Sequence, residues 1–392
     1  MKIGIIQRSD VTNICCLSGV PYFTAKALEE HVGRVILLGP DDSSLTRAIE
    51  FACRCLNRLC YVLLGRHTSS DHNRILSKRL AHTFASRLLK SECDVIFAPV
   101  ASVEIAFLQT DIPIIYMSDL TWANIIDYYP GCVSLFGFAN AEGERIEAAA
   151  IKNASALIYP SEWAARGAVE HYRADAHRVH CIPYGANFER GEIPSFDAAL
   201  HHPLEGPLRL LWTGVDWERK GGPIAYECLV ELLRRGVDAK LVICGCVPPT
   251  RYDHAKVEVI PFLDKRDLVQ RRRLSELFLD ANFFLFPTIA EAYGIVLCEA
   301  SAHGLPSLAR DTGGVGGAVS DGENGYLMPP DARGQQYAEK ILDTVGDHCL
   351  YERLVVRSRK AYEDRLNWDA WGRAAKSVFE QMAEGKVTSS VL

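Results

Sequence analysis

No stretch of this 392-residue chain approaches the roughly 18 apolar residues that a membrane-spanning helix requires. A spanning segment is therefore not expected. The first residues, Met1-Lys2-Ile3-Gly4-Ile5-Ile6, turn polar at Gln7, too early and too charged for a secretory leader. Positive charge is not in excess: 43 Lys and Arg against 49 Asp and Glu leave a formal charge of −6. The strongly basic face of a nucleic-acid binder is thus missing. Among the 13 cysteines there is no C-x-x-C pair; Cys53/Cys55 and Cys244/Cys246 are C-x-C, with no histidine at zinc-ligand spacing beside them. This excludes a thioredoxin-like or zinc-ribbon motif and fits reduced thiols in a cytoplasm. Low-complexity tracts and short repeats are also missing. With 48% hydrophobic and 23% charged residues, the composition is that of a globular protein with a sizeable core.

What is present is an alternation of short apolar runs and helical patterns. Strands are expected at Lys2–Ile6, Arg34–Leu38, Asp94–Ala98, Pro113–Met117, Ala156–Tyr159 and His180–Pro183. They are rich in Val and Ile and bounded by turn residues, as in a sheet covered on both faces. Amphipathic segments such as Pro21–Glu30 and Ala139–Lys152 lie between them, and Ser161 is placed to cap a helix over Glu162–Tyr172. The rhythm breaks after Pro183-Tyr184-Gly185-Ala186-Asn187 and resumes at Leu208–Thr213, with strands expected at Ala239–Cys244, Lys256–Pro261, Asn282–Phe286 and Pro306–Ala309. The pattern predicts an α/β protein with two Rossmann-like halves. The expected division is residues 1–187, a linker at 188–207, a second domain at 208–365 and a final helix in 366–392 packing back on the first domain.

The most informative stretch runs from Pro287 to Glu299, PTIAEAYGIVLCE. A strand ends at Pro287, a loop carries Glu291, and a helix begins near Tyr293. The free N–H groups of Tyr293, Gly294 and Ile295 form an anion site at such a helix start. Glu299 follows at about 9 Å along the axis, at roughly 1.5 Å per residue. One carboxylate near a sugar or phosphate and another at a ribose would suit that spacing; a capping Glu291 and a surface-paired Glu299 would suit it equally.

The surroundings separate the two. Glu291 and Glu299 form an E-x7-E pair, followed by Ala300-Ser301-Ala302-His303-Gly304-Leu305-Pro306, Asp311-Thr312-Gly313-Gly314 and Asp321-Gly322-Glu323-Asn324-Gly325. Upstream stand Leu211-Trp212-Thr213-Gly214 and Arg219-Lys220-Gly221-Gly222, and Pro183–Asn187 resembles an interdomain "PNGVD" element. Over about residues 150 to 345 the chain resembles the retaining nucleotide-sugar glycosyltransferases of family 4. The resemblance implies the GT-B fold, two Rossmann-like domains facing across a cleft. It also implies sugar transfer from a nucleoside diphosphate sugar, UDP- or GDP-linked, to a glycan, lipid or small-molecule acceptor, with no metal and no cofactor. It makes Lys220 the diphosphate cation, Glu291 the carboxylate facing the donor sugar and Glu299 the ribose ligand. Thr213, Gly214 and the backbone of Tyr293, Gly294 and Ile295 line the donor, and Phe262 with Leu263 sandwich the base.

Two positions depart from the family pattern. Val215 stands where a second diphosphate arginine is usual, with Arg219 as the nearby substitute, and Ser118-Asp119 replaces a His-Asp pair at the end of an N-terminal strand. Asp119 either binds acceptor or donor hydroxyls or caps a helix. Ser18 and Gly19 belong to the first strand–helix loop, which either faces the acceptor or is a plain turn. The departures keep open a non-catalytic nucleotide-sugar or glycan-binding relative, and a nucleotide-sugar epimerase on the same fold. Finally, residues 54–90 hold eight basic side chains against Asp71 alone, interleaved with Leu56, Leu59, Leu63, Leu76, Leu80 and Phe84. This is either a solvated face or a peripheral contact with the cytoplasmic membrane surface.

Overall fold

The computed structural model describes residues 1–126, 128–129 and 134–389. Its strands form two six-stranded parallel sheets. The first contains β1 (Lys2–Ile5), β2 (Arg34–Leu37), β3 (Val95–Pro99), β4 (Ile114–Met117), β5 (Ala156–Tyr159) and β6 (Val179–Cys181), in the order β2-β1-β3-β4-β5-β6. The second contains β7 (Leu208–Thr213), β8 (Ala239–Cys244), β9 (Val257–Ile260), β10 (Phe283–Phe286), β11 (Ser307–Arg310) and β12 (Gly325–Met328), in the order β12-β11-β10-β7-β8-β9. Every residue of β3, β4, β5 and β10 is buried, which is why these strands read as continuous apolar runs rather than alternations. In each sheet the order reverses once, between β1 and β3 and between β7 and β10. Ligands of such sheets bind outside the carboxyl ends of the strands at that switch point.

The chain divides into two compact units, Met1–Ile182 with Trp371–Leu392, and Pro183–Ala370. The break lies at Pro183 rather than at 187, and residues 188–207 belong to the second unit instead of forming a separate linker. They contain the short helix Phe196–Ala199 and the buried His202, whose ring nitrogens lie 2.6 Å from Ala281 O and 2.8 Å from His303 O. Such single-residue anchoring leaves no hydrophobic period to read. The last helix, Trp368–Ser389, enters the first unit at Trp371, where Trp371 and Phe379 pack on Phe97.

Helix starts follow their caps. Ser43 accepts from Thr46 N before the helix Ser44–Leu64, Asn73 from Leu76 N before Arg74–Leu88, and Ser161 from Ala164 N before Glu162–Arg166. The last of these continues as a π-helical turn, Gly167–His171. Leu76, Leu80 and Phe84, assigned from sequence to a basic surface, are fully buried in the first core. Among the described residues no helix is long and apolar enough to cross a membrane.

Candidate functional site

In the second unit, three loops converge at the switch point between β7 and β10. Beyond β7 the chain turns through Gly214 and reaches Lys220, whose carbonyl accepts from Trp212 Nε1 at 3.0 Å. Beyond β10, Ile289 N donates to Arg219 O at 2.7 Å and Thr288 Oγ1 to the same oxygen at 3.2 Å. The loop after β11 joins through Gly314 N, which donates to Glu291 O at 3.2 Å. Backbone and side-chain bonds together therefore hold the 220 and 291 loops to each other.

Their side chains meet. Lys220 Nζ pairs with Glu291 Oε2 and lies 5.0 Å from the centre of the Phe286 ring; both partners are mostly buried. In an ion pair this shielded the stronger attraction is offset by desolvation of both charges, and each charge is stranded if the other is removed. Arg219 does not duplicate Lys220: its Nη1 donates to Ala290 O at 2.9 Å, and Nε lies 3.5 Å from Asp216 Oδ2. Val215 is exposed and contributes no charge here.

Gly294, at φ 88°, turns the chain into the helix Ile295–Ala302. A side chain there would press on Leu297 and Phe286. Tyr293 is buried, its hydroxyl 3.3 Å from Tyr184 O, so only its backbone is available to a ligand. On that helix Glu299 is 3% exposed and pairs with Lys265 Nζ, which also lies 5.5 Å from the Phe188 ring. Lys265 is the residue that sequence reasoning missed. Its signal was position: it follows Phe262-Leu263 in the loop after β9, another carboxyl strand end. Phe262 is 61% exposed in that loop and is not core.

His303 fixes the far end of the Glu299 helix. Its Nδ1 donates to Glu299 O (2.7 Å) and its Nε2 accepts from Ser275 Oγ (2.7 Å), the pairing of a neutral ring. Burial holds its pKa down to about 4. Unfolding returns it to the usual value near 6.5, so the unfolded chain takes up the proton first. The second unit is therefore expected to lose stability as pH falls from about 6.5 towards 4, by up to about 3 kcal/mol at roughly 1.4 kcal/mol per unit. Thermal unfolding against pH checks this, and His303→Gln is expected to flatten the slope.

In the first unit, a cavity of about 220 Å³ opens at the carboxyl ends of β1, β3 and β4. Ser118 and Asp119 line it, as does Leu17 from the first strand–helix loop. Leu17, Ser18 and Gly19 all take left-handed conformations, with φ of 46°, 55° and 82°. This is a strained loop rather than a plain turn. The short helix Trp122–Ile125 is capped by Thr121, so Asp119 is not spent as its cap. Arg8, Glu104 and Glu147 also line the cavity, and none is marked by a sequence motif. Arg8 lies 3.5 Å from Asp71 and 3.6 Å from both Glu50 and Glu104. Burial pushes the Glu147 carboxyl up to about 7, while Tyr116 OH donates to it at 3.1 Å. Glu147 contributes stability that is lost as pH rises through about 7, opposing the buried His72, whose pKa burial lowers to about 4.

Residues 207–347 match the family model described as "Glycosyl transferases group 1". A D-inositol 3-phosphate glycosyltransferase of Streptomyces bingchenggensis is 28% identical over 270 residues, covering 63% of this chain and 59% of that protein. The chain spans 54 to 59% of the length of three such Streptomyces relatives. Among solved structures, the sucrose-phosphate synthase of Thermosynechococcus elongatus superposes with a TM-score of 0.68 at 18% identity, over 98% of this chain and 99% of that one. Anabaena HepE, solved with UDP and glucose, gives 0.63 at 17% identity, over 97% and 100%. These likenesses show the fold: two Rossmann-like domains of the GT-B type.

Proposed function

We propose that this chain, whose residues 207–347 form a group 1 glycosyltransferase domain, moves a glycosyl group from a nucleoside diphosphate sugar to an acceptor hydroxyl with its anomeric configuration retained. The observation that carries this reading is the presence of two lysine–carboxylate pairs, Lys220–Glu291 and Lys265–Glu299, built from loops at the carboxyl ends of the second sheet and the helix that follows β10.

In this reading the donor diphosphate takes Lys220 and the amides of Tyr293 to Ile295, freeing Glu291 to accept a hydroxyl of the donor sugar. Glu299, steadied by Lys265, accepts from the ribose. The bond between the anomeric carbon and the diphosphate oxygen breaks with its electron pair going to the diphosphate. The acceptor oxygen attacks from the same face and passes its proton to the leaving phosphate oxygen. Lys220 and the helix amides neutralise the developing charge without a metal ion, the role of preorganised donors aimed at a leaving group. Exposed Phe262 stacks on the base; Phe262→Ala is expected to weaken binding of the matching nucleoside diphosphate about tenfold, within the roughly 1–3 kcal/mol of base stacking, by calorimetry. The UDP held by the Anabaena neighbour makes uridine the first base to test and guanosine the second. The cavity beside Ser118 and Asp119, whose lining also includes Arg8 and Glu104, suits an acceptor presenting hydroxyls, whether a glycan, a lipid-linked sugar or a small molecule.

Incubation with UDP- and GDP-sugars and hydroxylated acceptors, read by mass spectrometry and by anomeric proton coupling, tests the reading. A glycoside of retained configuration together with free nucleoside diphosphate is expected. An isomerised donor would mean an epimerase, and unchanged donor despite nucleotide binding would mean a binding protein.

A further inference from the structure

The helix Ser44–Leu64 is built inside out. Its inward side chains are held by polar contacts: Thr46 Oγ1 donates to Asp41 (2.7 Å), Cys53 Sγ lies 3.5 Å from Asn73 Nδ2, and Asn57 Oδ1 accepts from Thr68 N (2.9 Å). Ile49 packs partly against the first core, but most of the helix's apolar side chains face solvent. Leu45, Phe51, Leu56, Leu59, Val62 and Leu63 are 53 to 72% exposed. At 100° per residue these six fall within one arc of the helix. Arg47, Arg54 and Arg58 run along one edge of that arc, at spacings of seven and four residues. Among the described residues neither Arg54 nor Arg58 has a carboxylate partner. The helix's one acid, Glu50, lies 3.6 Å from Arg8, away from the apolar arc. Beyond the helix, Arg66 sits over the Phe136 ring, and Phe138, stacked on Phe136, is 63% exposed. Apolar surface flanked by unpaired arginine, in a chain of net charge −6, is a local feature and not a property of the whole surface.

We propose that this helix docks the protein on an anionic lipid surface, lying in the plane of the interface with its apolar arc among the acyl chains and its arginines at the headgroups. Three features favour lipid over a second copy of the chain. The fixed polar inner face keeps the apolar arc outward, as an in-plane helix needs. The arginine edge complements phosphate headgroups. Arg54 is the central residue of the 21-residue helix, so antiparallel twofold pairing about that centre would set the Arg54 side chains of both copies against each other. At about 1.5 Å per residue the helix runs roughly 30 Å along the interface, with too little continuous apolar sequence to cross it. Docking needs neither donor nor acceptor, so it stands or falls apart from the transfer reaction.

Vesicle co-sedimentation tests it, with phosphatidylglycerol–phosphatidylcholine mixtures against phosphatidylcholine alone. Salt-sensitive binding to the anionic vesicles, and little to the neutral ones, is expected. Arg54→Gln with Arg58→Gln should lower partitioning about 30-fold, at roughly fivefold per arginine. Leu56→Ser with Leu59→Ser should lower it by about tenfold or more. These side chains are exposed, so both double variants are expected to keep the wild-type melting temperature, which is measured alongside. Absence of binding to anionic vesicles would overturn the proposal. So would a wild-type dimer that the leucine variant turns into a monomer, which would assign the face to self-association.

Discussion

Lys220→Ala is expected to lower sugar transfer by about a hundredfold to a thousandfold, the range for removing one preorganised charge donor from a reacting oxygen. The effect should fall mainly on kcat, because the diphosphate gains its full negative charge only as the sugar leaves. Neither neighbour in the sequence replaces the ammonium: Arg219 is turned to Ala290 O and Asp216, and Val215 is apolar. Glu291→Gln keeps the shape and removes the charge. It is expected to cost a comparable factor, partly because Lys220 then loses the carboxylate that shields it. Steady-state kinetics of the two single variants and the double variant checks this. A double variant no worse than either single one would mark the pair as one functional unit. Near-normal transfer by both single variants would remove them from the reaction.

Gly221→Ala is expected to be among the most damaging small substitutions in the second unit. Gly221 has φ 73°, and a Cβ there would strike the carbonyl of Pro287, the first residue after β10. Left-handed backbone and a collision with fixed main chain together imply a loss of about 3 kcal/mol or more. For a unit of this size that is a fall of about 10 °C in melting temperature. Gly236→Ala is the control: φ there is 80°, but open space surrounds the position. Only the conformational cost of about 1–2 kcal/mol applies there. Since Gly221 adjoins Lys220, its variant should also bind nucleoside diphosphate poorly at temperatures where it stays folded.

Much of this was legible from residues alone. Strands at the centre of each sheet announce themselves, because burial on both faces demands near-continuous apolar sequence, as in Ile114–Met117 and Phe283–Phe286; Leu208–Thr213 and Ala239–Cys244, each interrupted by one basic residue, match residue for residue. The donor-side residues could be named because Lys220, Glu291 and Glu299 sit in a contiguous spaced pattern. Lys265 could not, since its partner Glu299 is 34 residues away and nothing local reports that contact. The same holds for Arg8, Glu104 and Glu147, brought together only by the order β1-β3-β4 of the first sheet. The stretch 188–207 reads as a linker because it is anchored by isolated residues such as His202. The region between 44 and 90 shows a different limit. Amphipathicity gives the width of an apolar face but not its direction. Leu76, Leu80 and Phe84 point into the core while Leu56, Leu59 and Leu63 point to solvent, on neighbouring helices that both interleave leucines with basic side chains.

The most direct test of the account is thermal unfolding of the wild-type chain with UDP, GDP, ADP and TDP, repeated with Lys220→Ala. A ligand at about 100 times its dissociation constant adds roughly 2.7 kcal/mol, a shift of several degrees. The account predicts stabilisation by one base, uridine first, that is lost or sharply reduced in Lys220→Ala. Stabilisation by none of the four, with the wild-type chain folded, would contradict it.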